Sequence, residues 1–339
     1  MCVLSIIIPA YNSGEAIQKC LDSIVPQITD DCEIIIVDDG SSDQSPAICD
    51  EYSLSYPFIT VIHKKNEGAL LTRRCGVRVS HGEYVMFPDA DDTLCPHALD
   101  LILTEIKRSS SDIICFDWNR IGLDRKKTAI VKQIPTETGI TTGTVDLEIF
   151  KQLFASGNTT GALSSKVIKK NCFDIEEDYQ EWGNRICVSN DLFQMLPCVD
   201  RANSVSYIPE ALYNYVKTDG SITVAYKEGK VDAYVEVYKR REFYLRKWGI
   251  STELIDCATS RSLGAISSLI EAAYRDSKKK KTNAIFFDAL SKIRENETIR
   301  EIYTSLRNRK VKIPRKTNLL LYLCFHRLTL ALRVLLKFL

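Results

Sequence analysis

The sequence predicts an α/β protein, with a mainly parallel sheet flanked by helices over residues 1–226 and an all-helical region over 227–339. Three observations carry that expectation. Short apolar runs rich in β-branched residues alternate with helical periodicity through the first hundred residues, the pattern of strands buried on both faces. Polar clusters stand at the ends of these runs, where parallel sheets bind ligands. Beyond about Tyr226 the strand signals stop and only long helical patterns continue.

Val3–Pro9 reads as a buried strand closed by proline. Ser13–Gly14 opens a helix whose apolar residues Ala16, Ile17, Leu21, Ile24 and Val25 share one face. Glu33–Val37 is a second strand, followed by the polar turn Asp38–Asp43 and a helix around Pro46–Ser55. Ile59–His63 is a third strand, Gly68–Ser80 a helix and Tyr84–Pro88 a fourth strand. Leu99–Arg108 continues as a helix and Asp112–Asp117 as a strand, and Arg120 to Thr144 reads as a long loop or hairpin. Asn190–Leu196 starts a helix capped by Asn190, and Tyr207–Tyr215 holds strand-like stretches. Helices are expected over 229–248, 252–276 and 282–306, with the Lys278–Lys281 run as a solvated connector.

At 45% hydrophobic and 26% charged residues the chain falls in the ordinary globular range, which excludes a disordered polymer. Its 339 residues favour two domains over one enlarged core. The twelve cysteines are scattered with no C-x-x-C, so zinc-site spacing is absent and reduced thiols in a cytosolic setting are expected. The first apolar run is short and lacks a basic n-region, so no secretory leader is expected. The net charge of +1 hides a split: nine basic residues and no acidic one follow Glu301, leaving 36 basic against 44 acidic residues in 1–301. Such a split implies an acidic body joined to a basic arm that meets something anionic.

D-A-D-D at Asp89–Asp92 follows a strand directly. Carboxylates this close repel one another unless a cation holds them, and a hard divalent ion at a strand end stays open to substrate phosphates. The competing role is a cap for the helix through Pro96–Leu99. Asp38–Asp43 also follows a strand; a carboxylate there suits the hydrogens of a nucleobase or ribose hydroxyls, or the run is an ordinary turn with Asp43 as cap. Tyr11, after another strand, suits stacking on a base or simple packing.

The motifs V-L-S-I-I-I-P-A-Y-N at 3–12, I-I-V-D-D-G-S-S-D at 35–43 and N-E-G-A-L-L-T-R-R-C-G-V-R-V-S-H-G-E-Y-V-M-F-P-D-A-D-D at 66–92 together resemble glycosyltransferase family two. The resemblance runs in order over residues 3–100 and more weakly to about 223, and it implies the GT-A fold, inverting transfer, a nucleotide-sugar donor and a divalent metal, Mn or Mg. Carried over by position, it places Pro9, Ala10, Tyr11 and Asp39 at the base, commonly uracil, Arg73 in the donor pocket and Asp89 at the ribose or sugar. Asp91 is the implied metal ligand and Asp92 a second candidate. The family's Glu-Asp pair at a helix start matches S-N-D-L-F-Q-M-L-P at 189–197, which makes Asp191 the implied base, with a plain helix-cap pair as the other reading. Asn190 stands where the family has Glu, which removes a neighbouring charge. Y-N-Y-V-K-T-D-G-S-I-T at 213–223 resembles a Tyr-rich family segment, with Val216 and Lys217 where an Arg is usual; Lys217 suits a phosphate or a solvated surface equally. Pro88 replaces the usual apolar residue before the acids.

The function implied is transfer of a sugar, from a UDP-sugar by preference, to a hydroxyl of a glycan or lipid-linked glycan in surface-polysaccharide synthesis. A non-catalytic nucleotide-sugar-binding or scaffold protein of the same fold is the alternative. Leu319–Leu339 is apolar but interrupted by Arg327, Arg333 and Lys337, too charged for a spanning helix. His326, Thr329, Arg333 and Lys337 line one face at helical spacing, so a basic amphipathic helix on an anionic leaflet is expected, at the inner face of the cytoplasmic membrane. Packing on the body or in an oligomer is the other reading. The basic run lacks interleaved aromatics, so nucleic acid is not an expected partner.

Overall fold

The computed structural model describes residues 2–157, 159–176, 178–217 and 225–338. The Ser-Ile-Thr of the Tyr-rich segment, 221–223, lies outside the described residues. The chain divides into two compact units, Met1–Asn184 with Asn190–Asp219, and Arg185–Ser189 with Gly220–Leu339.

The first unit begins as strict strand–helix alternation: β1 (Leu4–Ala10), α1 (Glu15–Ile24), β2 (Cys32–Asp38), α2 (Ser45–Ser55), β3 (Ile59–His63), α3 (Ala69–Val79) and β4 (Tyr84–Met86). After it come β5 (Thr93–Leu94), α4 (Ala98–Ser109), β6 (Ile113–Ile121), β7 (Lys127–Val131), β8 (Gly143–Val145), α5 (Leu147–Ser156), β9 (Lys166–Lys169), α6 (Asn190–Arg201) and β10 (Val205–Val216). The sheet order is β3-β2-β1-β4-β9-β6-β10-β5, with β7 beside β6 and β8 beside β10. β3, β2, β1 and β4 are parallel, as are β6 and β10. The sheet is nonetheless mixed, because β9 runs against both β4 and β6.

The apolar runs explain the centre. Ile6, Ile7, Ile8, Ile34 and Ile36 are fully buried, each worth about 1.5–3 kcal/mol relative to exposure. Gly76 lets α3 settle on β1: a β-carbon there would lie 2.3 Å from Ile7 Cγ2. The 120–144 stretch contains a hairpin, with β7 turning back onto β6 through Gly122–Arg125. β9 has no counterpart in the sequence reading, since K-V-I-K offers only two apolar residues between lysines.

The second unit is helical: α7 (Lys230–Lys247), α8 (Thr252–Lys279), α9 (Ala284–Glu295), α10 (Glu297–Asn308), α11 (Arg315–Phe325) and α12 (Thr329–Leu335). Leu263, Ile266, Ile270, Phe286, Leu290 and Leu306 are buried in its core. The helix expected over 282–306 is two, because Asn296 ends α9 and caps α10 by accepting from Ile299 N. The expected C-terminal amphipathic helix is also two. It breaks at Arg327, whose φ of 57° is left-handed, so His326 and Thr329 do not share one helical face. Among the described residues no helix is long and apolar enough to cross a membrane.

Candidate active site

The candidate residues collect at the carboxyl ends of β1, β2 and β4, on α3 and at the start of α6. Ala10 closes β1, buried, with its carbonyl accepting from Asp39 N at 2.8 Å. Pro9 pairs beside Val37 within the sheet. Tyr11 stands beyond the strand, 51% exposed. The loop carrying it is tied to the one after β2: Asn12 N donates to Ser41 Oγ at 2.9 Å, Ser42 N to Asn12 Oδ1 at 2.8 Å and Gly14 N to Asp43 Oδ2 at 2.8 Å. Asp43 thus works as a loop tie, its other oxygen accepting from Ser45 N at the start of α2.

Asp38 and Asp39 are both buried, and both carboxylates have protein partners. Asp38 accepts from Ser41 N at 3.1 Å and pairs with His63 Nδ1 at 2.9 Å, while His63 Nε2 reaches Asp50 at 3.0 Å. Hydrogen bonds that His63 donates to Asp38 and then to Asp50 raise its pKa above the usual imidazole value. Asp39 accepts from Glu67 N at 2.9 Å, Gly68 N at 2.8 Å and Lys64 Nζ. The sequence-predicted base contact therefore also anchors the corner that leads into α3, where Gly68 adopts φ 91°.

The acids after β4 divide sharply. Asp92 is 1% exposed and committed to β10: Oδ2 accepts from Tyr213 Oη at 2.6 Å and Oδ1 from Val216 N at 2.7 Å. It caps no helix; α4 starts after His97 without a side-chain cap. Asp89 Oδ1 pairs with Arg73 Nη2 at 2.9 Å, and its N–H donates to the same Tyr213 oxygen at 3.0 Å. Burial raises the pKa of both carboxyls; Arg73 opposes the rise at Asp89, and the charge of Asp89 adds to it at Asp92. Asp91 is exposed, at the outer edge of the cluster.

Arg73 joins this cluster to α6. It is 4% exposed, and its Nη1 donates to Asn190 Oδ1 at 2.6 Å and lies 3.1 Å from Asp191 Oδ1. Burial opposes its charge, but Asp191 and Asp89 together hold its pKa above the ordinary arginine value. Asn190 thus supplies a neutral acceptor where a carboxylate would have added a third charge around one guanidinium. Asp191 Oδ2 accepts from Leu163 N at 3.3 Å.

Two supporting residues escaped the sequence reading. Tyr213 links Asp89 and Asp92; its only signal was membership of the Tyr-rich segment. Lys166, fully buried at the start of β9, donates to the carbonyls of Thr160 at 2.8 Å and Ala162 at 2.9 Å and to Gln133 Oε1 at 3.2 Å. It pins the loop whose Leu163 N–H meets Asp191. Burial pulls its ammonium down to about 8. Its acceptors are spread over 133–162, so no local pattern marks it.

For a divalent cation the donor chemistry fits: hard carboxylate oxygens at a strand end, one of them on an exposed Asp91. Among the described residues no three His, Cys, Asp or Glu side chains converge as a metal cage.

Residues 5–170 match the profile of glycosyl transferase family 2. Residues 5–170 form a domain of that family. It is 34% identical over 151 residues to the uncharacterized glycosyltransferase YibD of Escherichia coli, covering 41% of each chain. It is 25% identical over 293 residues to a cholesterol galactosyltransferase of Borreliella burgdorferi, covering 74% of this chain and 78% of that one. The chain thus spans about two fifths of YibD but most of the second relative. In structure it resembles TarS of S. aureus, residues 1–349 in complex with UDP-GlcNAc, at TM-score 0.56 and 17% identity over 90% of this chain and 92% of that one. The chain therefore has the GT-A fold, with a helical C-terminal region.

Proposed function

We propose that this chain is an inverting glycosyltransferase that moves a sugar from a UDP-sugar to a hydroxyl of a glycan or lipid-linked acceptor. The observation that carries the reading is the Arg73 bridge, which brings Asp89 of the donor-side cluster and Asp191 of α6 to one guanidinium. Acid–base chemistry and donor binding must meet within a few ångströms in an inverting transfer, and here a carboxylate of each kind pairs with one cation. The UDP-GlcNAc named for TarS and the cholesterol named for the Borreliella relative support a nucleotide-sugar donor and a lipid-borne acceptor.

In this reading Tyr11 offers its exposed ring to the base, with Pro9 and Ala10 forming the floor beneath it and Asp39 at its hydrogen-bonding edge. Asp89 meets the ribose or sugar. Asp91 would hold Mn²⁺ or Mg²⁺, which when bound supplies positive charge against the diphosphate leaving group. Asp92, its oxygens taken by Tyr213 and Val216, shapes the loop from behind. Asp191 accepts the proton of the acceptor hydroxyl, oriented by Arg73 on one oxygen and Leu163 N–H on the other. The second unit brings the protein to the membrane that carries the acceptor.

A screen of UDP-sugars, with release of UDP read in the presence of Mn²⁺ or Mg²⁺, tests the proposal. Turnover that needs the metal and is lost in Asp191→Asn supports it; UDP binding with no turnover of any sugar would leave a nucleotide-sugar-binding protein instead.

A further inference from the structure

The basic C-terminal segment is not used by the donor site, and the structure changes which of its residues face outward. Sequence periodicity placed Thr329, Arg333 and Lys337 in one polar row. Thr329 instead accepts from Arg294 Nη2 at 3.0 Å, and Arg333 is hydrogen-bonded to Asn283 and lies 5.3 Å over the Phe287 ring. Both are spent on α9 and its approach. Leu332 and Leu336 turn into the core.

An apolar row remains outward. Leu330, Val334 and Phe338 are 78%, 48% and 84% exposed. Their spacing of four places them on one face of α12 and the turn that continues it, where Phe338 N still donates to Leu335 O. Arg327 and Lys337 are exposed and flank this row in sequence, and among the described residues no acidic side chain is seen to pair with either. Exposing two large aliphatic side chains and a phenylalanine on one short element is costly in water and marks a contact.

We propose that this row, Leu330, Val334 and Phe338 flanked by Arg327 and Lys337, docks on the surface of a membrane rich in anionic lipid. Three features select a lipid surface. The side chains are exposed in one row at a helix end. None of the three side chains carries a hydrogen-bonding group. The cations sit at the margin, where headgroup phosphates meet an interfacial helix, and no acid follows Glu301 to repel them. The proposal deepens the membrane contact put forward above by naming its face, and it rests on that reading only for its purpose: the contact itself can be measured without nucleotide or sugar.

The test is co-sedimentation of the full chain with vesicles of phosphatidylcholine alone or mixed with phosphatidylglycerol, at low and high salt. Wild type should bind the mixed vesicles and release them as salt rises. Leu330→Ser with Phe338→Ser, and separately Arg327→Gln with Lys337→Gln, should each weaken binding about tenfold or more. Lys310→Gln with Lys312→Gln, a change of equal charge away from the row, should weaken it less. Thermal melting and UDP binding should be unchanged in all three, which separates failure here from failure of the donor-site reading. Absence of wild-type binding, equal loss in the Lys310/Lys312 variant, or vesicle binding that survives Leu330→Ser with Phe338→Ser would overturn the proposal. So would self-association through the row with no vesicle binding, which would assign the face to a second copy.

Discussion

Two acid-rich loops follow parallel strands of the same sheet, and they are built on opposite terms. After β2, Asp38 and Asp39 are buried but satisfied by backbone N–H groups and by His63 and Lys64. After β4, the acids crowd one another: Asp89 leans on Arg73, Asp92 is held by a phenol and one N–H, and Asp91 points outward. The first loop is a rigid rim; the second carries unbalanced charge. A run of acids in sequence therefore does not mean a run of ligands, because the oxygens already filled decide which carboxylates are available for a donor, a cation or a proton.

The comparison breaks first at Asp191 and Asp91. Asp191→Asn should cut transfer by about 10³-fold while UDP binding persists, as loss of a general base does. Asp91→Asn should abolish metal-dependent turnover with the fold intact, whereas Asp92→Asn should chiefly lower stability. Steady-state UDP release at graded Mn²⁺, beside urea melts, measures all three. Equal metal dependence in the Asp91 variant and wild type would move the ligand elsewhere in the cluster.

Next is Arg73. Arg73→Ala leaves Asp89 and Asp191 facing each other without a cation, and removing one partner from a buried charge pair costs about 3–5 kcal/mol. Arg73→Lys should recover only part, because one ammonium cannot fork to Asp89, Asn190 and Asp191 together. By contrast Lys64→Ala, on the rim, leaves Asp39 with two N–H donors and should cost less than half as much. Similar losses in the two variants would erase the distinction between the loops.

Lys166 sharpens it through pH. Its folded value of about 8 lies below the free value of about 10.4, so between those limits the native state holds fewer protons than the unfolded chain. Stability should then rise with pH across that window, by up to about 3 kcal/mol from this group. Lys166→Met should flatten the rise and strip donors from the Thr160 and Ala162 carbonyls, at about 1–3 kcal/mol each. Urea midpoints at several pH values for both proteins provide the check; the same slope in each would mean that another group titrates.

How much of this was legible in the sequence follows from the range of the interactions. β1 and β2 were readable because five consecutive buried residues in each leave a local pattern, and β3 and β4 because short apolar, β-rich runs recur between helical stretches. The positions of Tyr11, Asp39, Asp89 and Asp191 at element ends were readable for the same reason. Which oxygen each acid has free was not. Asp92 is held from 121 and 124 residues away and Arg73 reaches Asn190 across 117. The C-terminal row was misassigned because periodicity assumes an unbroken helix, and a left-handed Arg327 resets the phase.

The smallest expected effect lies on the rim, at His63. Asp38 and Asp50 raise its folded pKa above the free value of about 6.5. The native state therefore holds the proton longer than the unfolded chain, and the stabilisation is complete below the free value and lost as pH rises through the folded one. The imidazole is 43% exposed, so screening keeps the gain under about 1 kcal/mol. Urea midpoints should fall slightly as pH rises out of that range in wild type and stay level in His63→Gln, a slope opposite in sign to that of Lys166. A flat wild-type profile would show that Asp38 holds the neutral imidazole as well as the imidazolium, and the rim would then owe nothing to the titration of His63.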